Sequence, residues 1–212
     1  MYIPRHFQPP ADHAAVLAFM RRYSFATLVT AAPGAPPQAT HLPFSVALDD
    51  DEQVVLSAHL ARANPQWQQL TAGPALVIFS EPHAYVSPRH YAEAQNVPTW
   101  NYIAVHAYGP VRLLPEEADQ RRVVEALIEA NEPGYLPQWR GLDPAYQQRM
   151  LRGIVAFELP VTDLQAKYKL SQNRAPQEQA TLTEAFHHSP DPLVQQLAEY
   201  MPAVALPAPL PG

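Results

Sequence analysis

Between Asp12 and Tyr23 the apolar residues Val16, Leu17, Phe19, Met20 and Tyr23 recur at helical spacing, which predicts an amphipathic helix with Asp12 as its N-cap. The pattern then changes to short runs rich in β-branched and aromatic residues. These predict strands at Phe25–Thr30, Gln38–Leu48, Gln53–Ala58, Ala75–Ser80 and Ala84–Ser87, with turns at Ala31–Pro37 and Asp49–Asp51. Pro43 is awkward in a central ladder, so it marks an edge, a bulge or an opening toward a ligand. After Asn64-Pro65 a brief helix carries Trp67 and Leu70, and the continuous apolar run of Ala75–Ser80 reads as a buried strand. Trp100–Leu114 is a long strand with a bend at Gly109-Pro110, and Ile154–Val161 closes the strand list. Pro115–Glu132 is a helix with Val123, Val124, Leu127 and Ile128 on one face, and two weaker helices follow Pro176.

Helix, strands, helix, strands, at short spacings and with few crossovers, argues an α+β chain with a barrel-like antiparallel sheet and flanking helices. Neither G-x-G-x-x-G nor G-x-x-x-x-G-K-[ST] is present, which excludes a doubly wound nucleotide fold. The organisation expected is a principal domain over residues 1–174, a helical extension over 175–200 and a proline-rich tail over 201–212. With 47% hydrophobic and 16% charged residues the chain is globular, and no run of about 18 apolar residues marks a membrane span. The N-terminus lacks the layout of a signal peptide, so a cytoplasmic protein without membrane attachment is expected. With no cysteine there is no disulfide, thiolate-bound metal or thiol nucleophile. A net charge of −6 with 14 scattered basic residues does not favour direct binding to a phosphate backbone.

Four segments stand out chemically. In His59–Pro65, a strand meets a helix; Arg62 offers a planar cationic fork suited to phosphate, with Ser57 and His59 adding hydrogen bonds, although a solvated surface loop accounts for the same residues. In Thr40–Phe44, His41 and Pro43 share one face of a strand and Leu42 and Phe44 the other, which suits either a core strand or one that reads the edge of a flat heterocycle. Trp100, Asn101 and Tyr102 suit a planar ligand, a barrel seam or a subunit contact. Lys167–Arg174 holds the most concentrated positive charge in the chain, read either as a solvated face or as a seat for a small anion. No histidine set has metal-ligand spacing and no G-x-S-x-G elbow occurs, so no metal is expected and no catalytic residue is assigned.

MYIPRHF at residues 1–7, THLPF at 40–44, HLARANPQW at 59–67, HAYVSPRHY at 83–91, VPTWNYIAVHAYG at 97–109, GIVAFELPV at 153–161 and KYKLSQNR at 167–174 together resemble the PaiB family of FMN-binding negative transcriptional regulators. The resemblance implies a six-stranded antiparallel split β-barrel and a homodimer with FMN at the subunit interface. It sets Ser57, His59, Arg62 and Asn64 near the FMN phosphate and ribityl chain, and Thr40, His41, Leu42 and Pro43 along the isoalloxazine ring. Trp100, Asn101, Lys169, Gln172, Asn173 and Arg174 complete the site from one subunit or the other. DNA is a partner by family resemblance only, since the charge is acidic and no helix-turn-helix is recognisable. The expected function is an FMN-binding regulator with the flavin as ligand or redox sensor. Competing readings are a flavin-dependent oxidoreductase with His41 or His106 as proton donor, a haem-binding split barrel with His106 or a tail histidine as ligand, and an interaction module with a vestigial site.

Overall fold

The computed structural model describes residues 1–9, 13–93 and 95–202, which form ten β-strands and six α-helices joined by short 3-10 turns. They cluster into two units: residues 19–79 with 106–164, and residues 1–18 with 80–105 and 165–202. The strands are β1 (Phe25–Thr30), β2 (Gln38–Pro43), β3 (Ser45–Leu48), β4 (Val54–Ala61), β5 (Ala75–Phe79), β6 (His83–Val86), β7 (Thr99–Gly109), β8 (Arg112–Leu114), β9 (Ile154–Pro160) and β10 (Asp163–Lys169). Six of them form a sheet of order β10-β7-β5-β1-β2 with β6 also on β7, and four form a second sheet of order β3-β4-β9-β8. This is the α+β, antiparallel split-barrel class that the strand spacing and the resemblance predict.

In the unit of residues 19–79 and 106–164, β1 buries Ala26, Leu28 and Thr30 in strict alternation and pairs antiparallel with β2 and β5. The expected single strand Gln38–Leu48 is two strands in different sheets. Pro43 lacks the N–H a ladder needs, so β2 ends there at the edge of its sheet, and the chain re-enters the second sheet as β3. Phe44 sits at the crossing with its N–H bonded to the Ser24 carbonyl at 2.9 Å. Its ring is buried edge-on against Phe79 and Phe157, 6.1 and 6.2 Å away. The strand expected at Gln53–Ala58 runs on to Ala61, so His59 is a strand residue and not part of the following turn. The run at β5 is buried only on alternate residues.

Helix α2 (Glu117–Asn131) packs Val123 and Leu127 on Ala156 of β9, with Leu114 beside them. Arg122 fastens it there, bonding Glu158 at 2.9 Å and Asp119 at 3.2 Å. The sequence pattern does not mark α3 (Leu136–Arg140) or α4 (Pro144–Arg152), whose short, polar runs carry few apolar positions. Asp143 caps α4 by accepting the Tyr146 N–H at 2.9 Å. A β-carbon on Gly109, at the bend expected there, would lie 2.0 Å from the Pro160 carbonyl oxygen.

In the other unit, helix α1 (His13–Arg22) contributes its first turns and buries Val16 and Leu17, while the expected N-cap Asp12 lies outside the described residues. β6 pairs with the start of β7, setting Tyr85 opposite Trp100 and Ala84 opposite Asn101. Ile154–Val161 is not the last strand, because β10 follows it and carries Lys167 and Lys169. The last helices of the described residues are α5 (Pro176–His187) and α6 (Pro192–Tyr200), which bury Leu182, Phe186, Leu197 and Ala198. The tail beyond residue 202 lies outside the described residues.

Because backbone and not a flexible side chain occupies the space at Gly109, Gly109→Ala forces the strand crossing apart. The variant should lose about 3 kcal/mol of stability, near the top of the range for overpacking. Urea unfolding checks this, and a loss below about 0.5 kcal/mol would mean that the contact yields freely.

Candidate functional site

The turn after β4 is built from its own polar groups. Pro65 opens a 3-10 turn (Pro65–Gln69), and Asn64 caps it by accepting the Gln66 N–H at 3.0 Å. Gln66, 1% exposed, donates through Nε2 to the Thr30 hydroxyl at 3.2 Å and to the Gln38 carbonyl at 3.1 Å. The Thr40 hydroxyl donates to Gln66 Oε1 and accepts from Asn64 Nδ2 at 3.0 Å. Thr40 and Asn64 therefore meet, as members of a network that pins the turn to the β1–β2 hairpin. Nothing in the local pattern singles out Gln66, the centre of that network, because one glutamine in a polar turn resembles any other.

Arg62 sits where β4 ends. Its Nε donates to the Arg152 carbonyl and its Nη2 to the Ile154 carbonyl, both at 2.8 Å. Arg152 is the last residue of α4, so the guanidinium satisfies an orphaned helix carbonyl at the negative end of the helix dipole. The backbone N–H groups of the turn are engaged as well: Arg62 N with the Gly153 carbonyl at 2.8 Å, and Asn64 N with the Ala61 carbonyl at 2.9 Å. These two amides of the turn therefore have internal partners, as does one edge of the guanidinium.

Ser57 and His59 lie two apart on β4, opposite Glu158 and Ala156 of β9. Ala156 packs under α2, so both side chains belong to the helix-covered face of this sheet. Ser57 is buried, and His59 Nδ1 is enclosed without a partner. Burial lowers the His59 pKa below its ordinary value, so the folded protein holds the ring neutral. On β2, His41 is exposed with its ring stacked on Phe25 at 6.3 Å, Leu42 is buried opposite Ala26, and Pro43 stands opposite Phe25.

In the other unit, adjacent residues part company. Trp100 is 51% exposed with its ring beside Tyr85 and His83, whereas Asn101 is fully buried and accepts the Ser171 hydroxyl at 3.0 Å. Asn101 Nδ2 is enclosed without a partner. Gln172 is also buried, folding back to accept the Leu170 N–H at 2.7 Å and to donate to the Tyr168 carbonyl, while Asn173 is exposed. Ser171 takes φ of 64°, the left-handed conformation that closes this turn.

The cations gather here. Lys167 and Lys169 share a strand face, and both lie over the Phe7 ring at 5.9 and 5.7 Å; Lys167 also faces Tyr2 and Tyr102. Lys169 Nζ donates to the Thr99 hydroxyl at 2.6 Å and to the Trp100 carbonyl. Burial, then the charges of Lys167 and Arg174, lower its pKa. Arg174 stacks on Tyr91 at 3.8 Å and bonds Asn96 at 2.7 Å. Among the described residues no carboxylate forms a salt bridge with Lys167, Lys169 or Arg174. No group of three or more His, Cys, Asp or Glu able to hold a metal occurs among them, and none of their helices is long and apolar enough to cross a membrane.

Residues 1–163 match the family model described as "Putative FMN-binding domain". A Bacillus subtilis (strain 168) protein named protease synthase and sporulation protein PAI 2 is 37% identical over 204 residues, covering 95% of this chain and 96% of its own. Among solved structures, the flavocytochrome Anf3 from Azotobacter vinelandii superposes with a TM-score of 0.59 at 19% identity, over 74% of this chain and 67% of its own. An FAD- and haem-binding protein from Mycobacterium smegmatis gives the same TM-score at 18% identity, over 74% of this chain and 71% of its own. At such identities these two structures show a shared fold and nothing of shared chemistry.

Two outcomes follow from the geometry of β4. The unfolded chain binds a proton at His59 near the ordinary histidine value of 6.5, and the folded chain only at lower pH. Stability from this ring is therefore complete above pH 6.5 and is lost as the pH falls below it. Stability measured from pH 7.5 to 5 should fall less steeply in His59→Leu than in the parent, and an unchanged slope would show that the buried ring is not the acid-sensitive group. Arg62→Ala removes two charge-assisted bonds at an exposed helix end and should cost about 1–2 kcal/mol of stability. Arg62→Lys should not restore it, because one ammonium cannot span both carbonyls.

Proposed function

Because the chain belongs to the PaiB family of FMN-binding proteins, we propose that it works as a homodimeric, cytoplasmic regulator of transcription with FMN as its ligand or redox sensor. The observation that carries the reading is the cluster of Lys167, Lys169 and Arg174: three cations with no salt-bridged carboxylate among the described residues, in a chain of net charge −6. A dianionic phosphate is the group that such a cluster lacks. It would offset the burial, and then the charges of Lys167 and Arg174, that lower the Lys169 pKa, and would accept charge-assisted hydrogen bonds from Lys169 and Arg174.

The residues fit the cofactor in kind as well as in charge. Lys169 and Arg174 suit the phosphate, with Gln172 holding the turn between them and Asn173 exposed beside it. The unpartnered Nδ2 of Asn101 suits a carbonyl or ring nitrogen. On β2 and β4, the exposed edge of Thr40–Pro43 suits a flat ring, and Arg62, held rigid by two carbonyls, presents its outer N–H groups to an anion. We assign these groups to one flavin site built by both subunits of the dimer, with Ser57, His59, Asn64 and Gln66 shaping the strand and turn that bear Arg62. Bound FMN supplies reversible one- and two-electron chemistry, and the protein supplies its orientation and electrostatic surroundings.

Titration of the purified protein with FMN, followed by visible absorbance and by mass spectrometry of what denaturation releases, tests the reading. Stoichiometric uptake of FMN is expected, and a Soret band or the absence of any uptake would sink it. Lys169→Met should weaken FMN binding by about 1.5–3 kcal/mol, roughly 10–100-fold, the scale of a hydrogen bond to a charged group. The regulatory part is tested separately, because rapid turnover of NAD(P)H by the FMN-loaded protein would instead make it an oxidoreductase.

A further inference from the structure

We propose that the unit formed by residues 1–18, 80–105 and 165–202 carries a second small-molecule cleft, on the outer face of β6 and the start of β7, that takes a planar aromatic anion. The cleft has a volume of about 650 Å³, within the roughly 300–1,000 Å³ of small-molecule sites. Its floor is aromatic. Tyr85 and Trp100 are cross-strand partners, their rings 6.1 Å apart and nearly perpendicular, and the His83 ring lies 5.6 Å from Trp100. Both large rings stay about half exposed, 53% for Tyr85 and 51% for Trp100, although they line a concavity. A side chain needed only for the core would turn inward there, as the neighbouring Ala84 and Asn101 do. Two rings set at right angles offer one face for stacking and one edge for contact.

The walls supply the charge. Arg89 stands at the cleft with its Nε donating to His90 Nε2 at 3.3 Å, and no carboxylate forms a salt bridge with it among the described residues. Of the acids near by, Asp191 lines the cleft with its Oδ1 engaged in capping α6, accepting the Leu193 N–H at 2.9 Å, and Glu184 faces His188 at 3.4 Å. The arrangement therefore selects a flat ring for the floor and a negative group for Arg89. It rests on side chains that the flavin reading does not use, Trp100 excepted, and it stands whether or not FMN binds.

Indole-3-acetate and tryptophol, the same ring with and without a charge, separate the two requirements. Each is titrated into the full-length protein without FMN and with saturating FMN. Binding is read from the imidazole NMR signals of His83, His90 and His188, assigned with single His→Gln variants. Indole-3-acetate should bind about tenfold tighter than tryptophol, a difference of about 1.4 kcal/mol. Arg89→Gln should abolish that preference, and Tyr85→Ser should weaken both ligands alike. Equal affinities for the two in the parent protein, or shifts confined to histidines outside the cleft, would overturn the proposal. Release of FMN by indole-3-acetate would also overturn it, by making the cleft the flavin's own seat. Loss of the dimer in Tyr85→Ser would do the same, by assigning the aromatic floor to the subunit contact.

Discussion

The crossing at Pro43-Phe44 is the constraint on which the unit of residues 19–79 and 106–164 is built. A proline cannot continue the ladder of β2, and the next residue must carry the chain from one sheet into the other. Phe44 makes that change of direction favourable: its ring is clamped by Phe79 from β5 and Phe157 from β9, one from each sheet, and its N–H is returned to Ser24. Burying such a ring contributes on the order of 2–3 kcal/mol, and the edge-on contacts add to it. Because the crossing is fixed, β2 is left as a sheet edge with the exposed positions Ala39 and His41, while β3 is set against β4 in the register that places Ser45 opposite Ser57.

The same economy explains what Arg62 does. A guanidinium beside a strand end reads in sequence as an anion receptor, because spacing reveals the donor but not the acceptors that compete for it. The competing acceptors come from residues about 90 positions away, the carbonyls of Arg152 and Ile154. A carbonyl in the last turn of a helix has no intrahelical partner, so a nearby cation is drawn to it before any ligand arrives. Anchoring does not disqualify the side chain. It removes rotamer freedom that a ligand would otherwise have to freeze, and it fixes which edge of the guanidinium faces outward.

The elements that could be read from the chain are those whose pattern is local. β1 was legible to the residue because its alternation is clean, and α2 because Val123 and Leu127 recur at helical spacing. α3 and α4 were not: Pro137 and Pro144 sit at first-turn positions where they favour a helix, yet in a polar run they look like loop punctuation. β10 is hidden for a related reason, since lysines at alternate positions on a half-exposed strand read as a solvated charged face. Of the candidate site, the sequence marked Trp100 and Asn101 as a pair, but a strand sends neighbours to opposite faces. Only the placed backbone separates the exposed indole from the buried amide.

That separation gives the strand two chemistries. On one face of β7, Asn101 enters a buried polar knot with Ser171, whose left-handed turn and the folded-back Gln172 bring Arg174 onto the Tyr91 ring. On the other, Trp100 joins Tyr85 and His83 in an aromatic floor. Lys169 connects the two faces through the backbone, since its ammonium holds both the Thr99 hydroxyl and the Trp100 carbonyl. One ammonium thus ties a side chain and a main-chain carbonyl of two successive residues at the start of β7. An ammonium has three donors, and these two acceptors, both from β7, engage it at the point where the strand's two faces diverge.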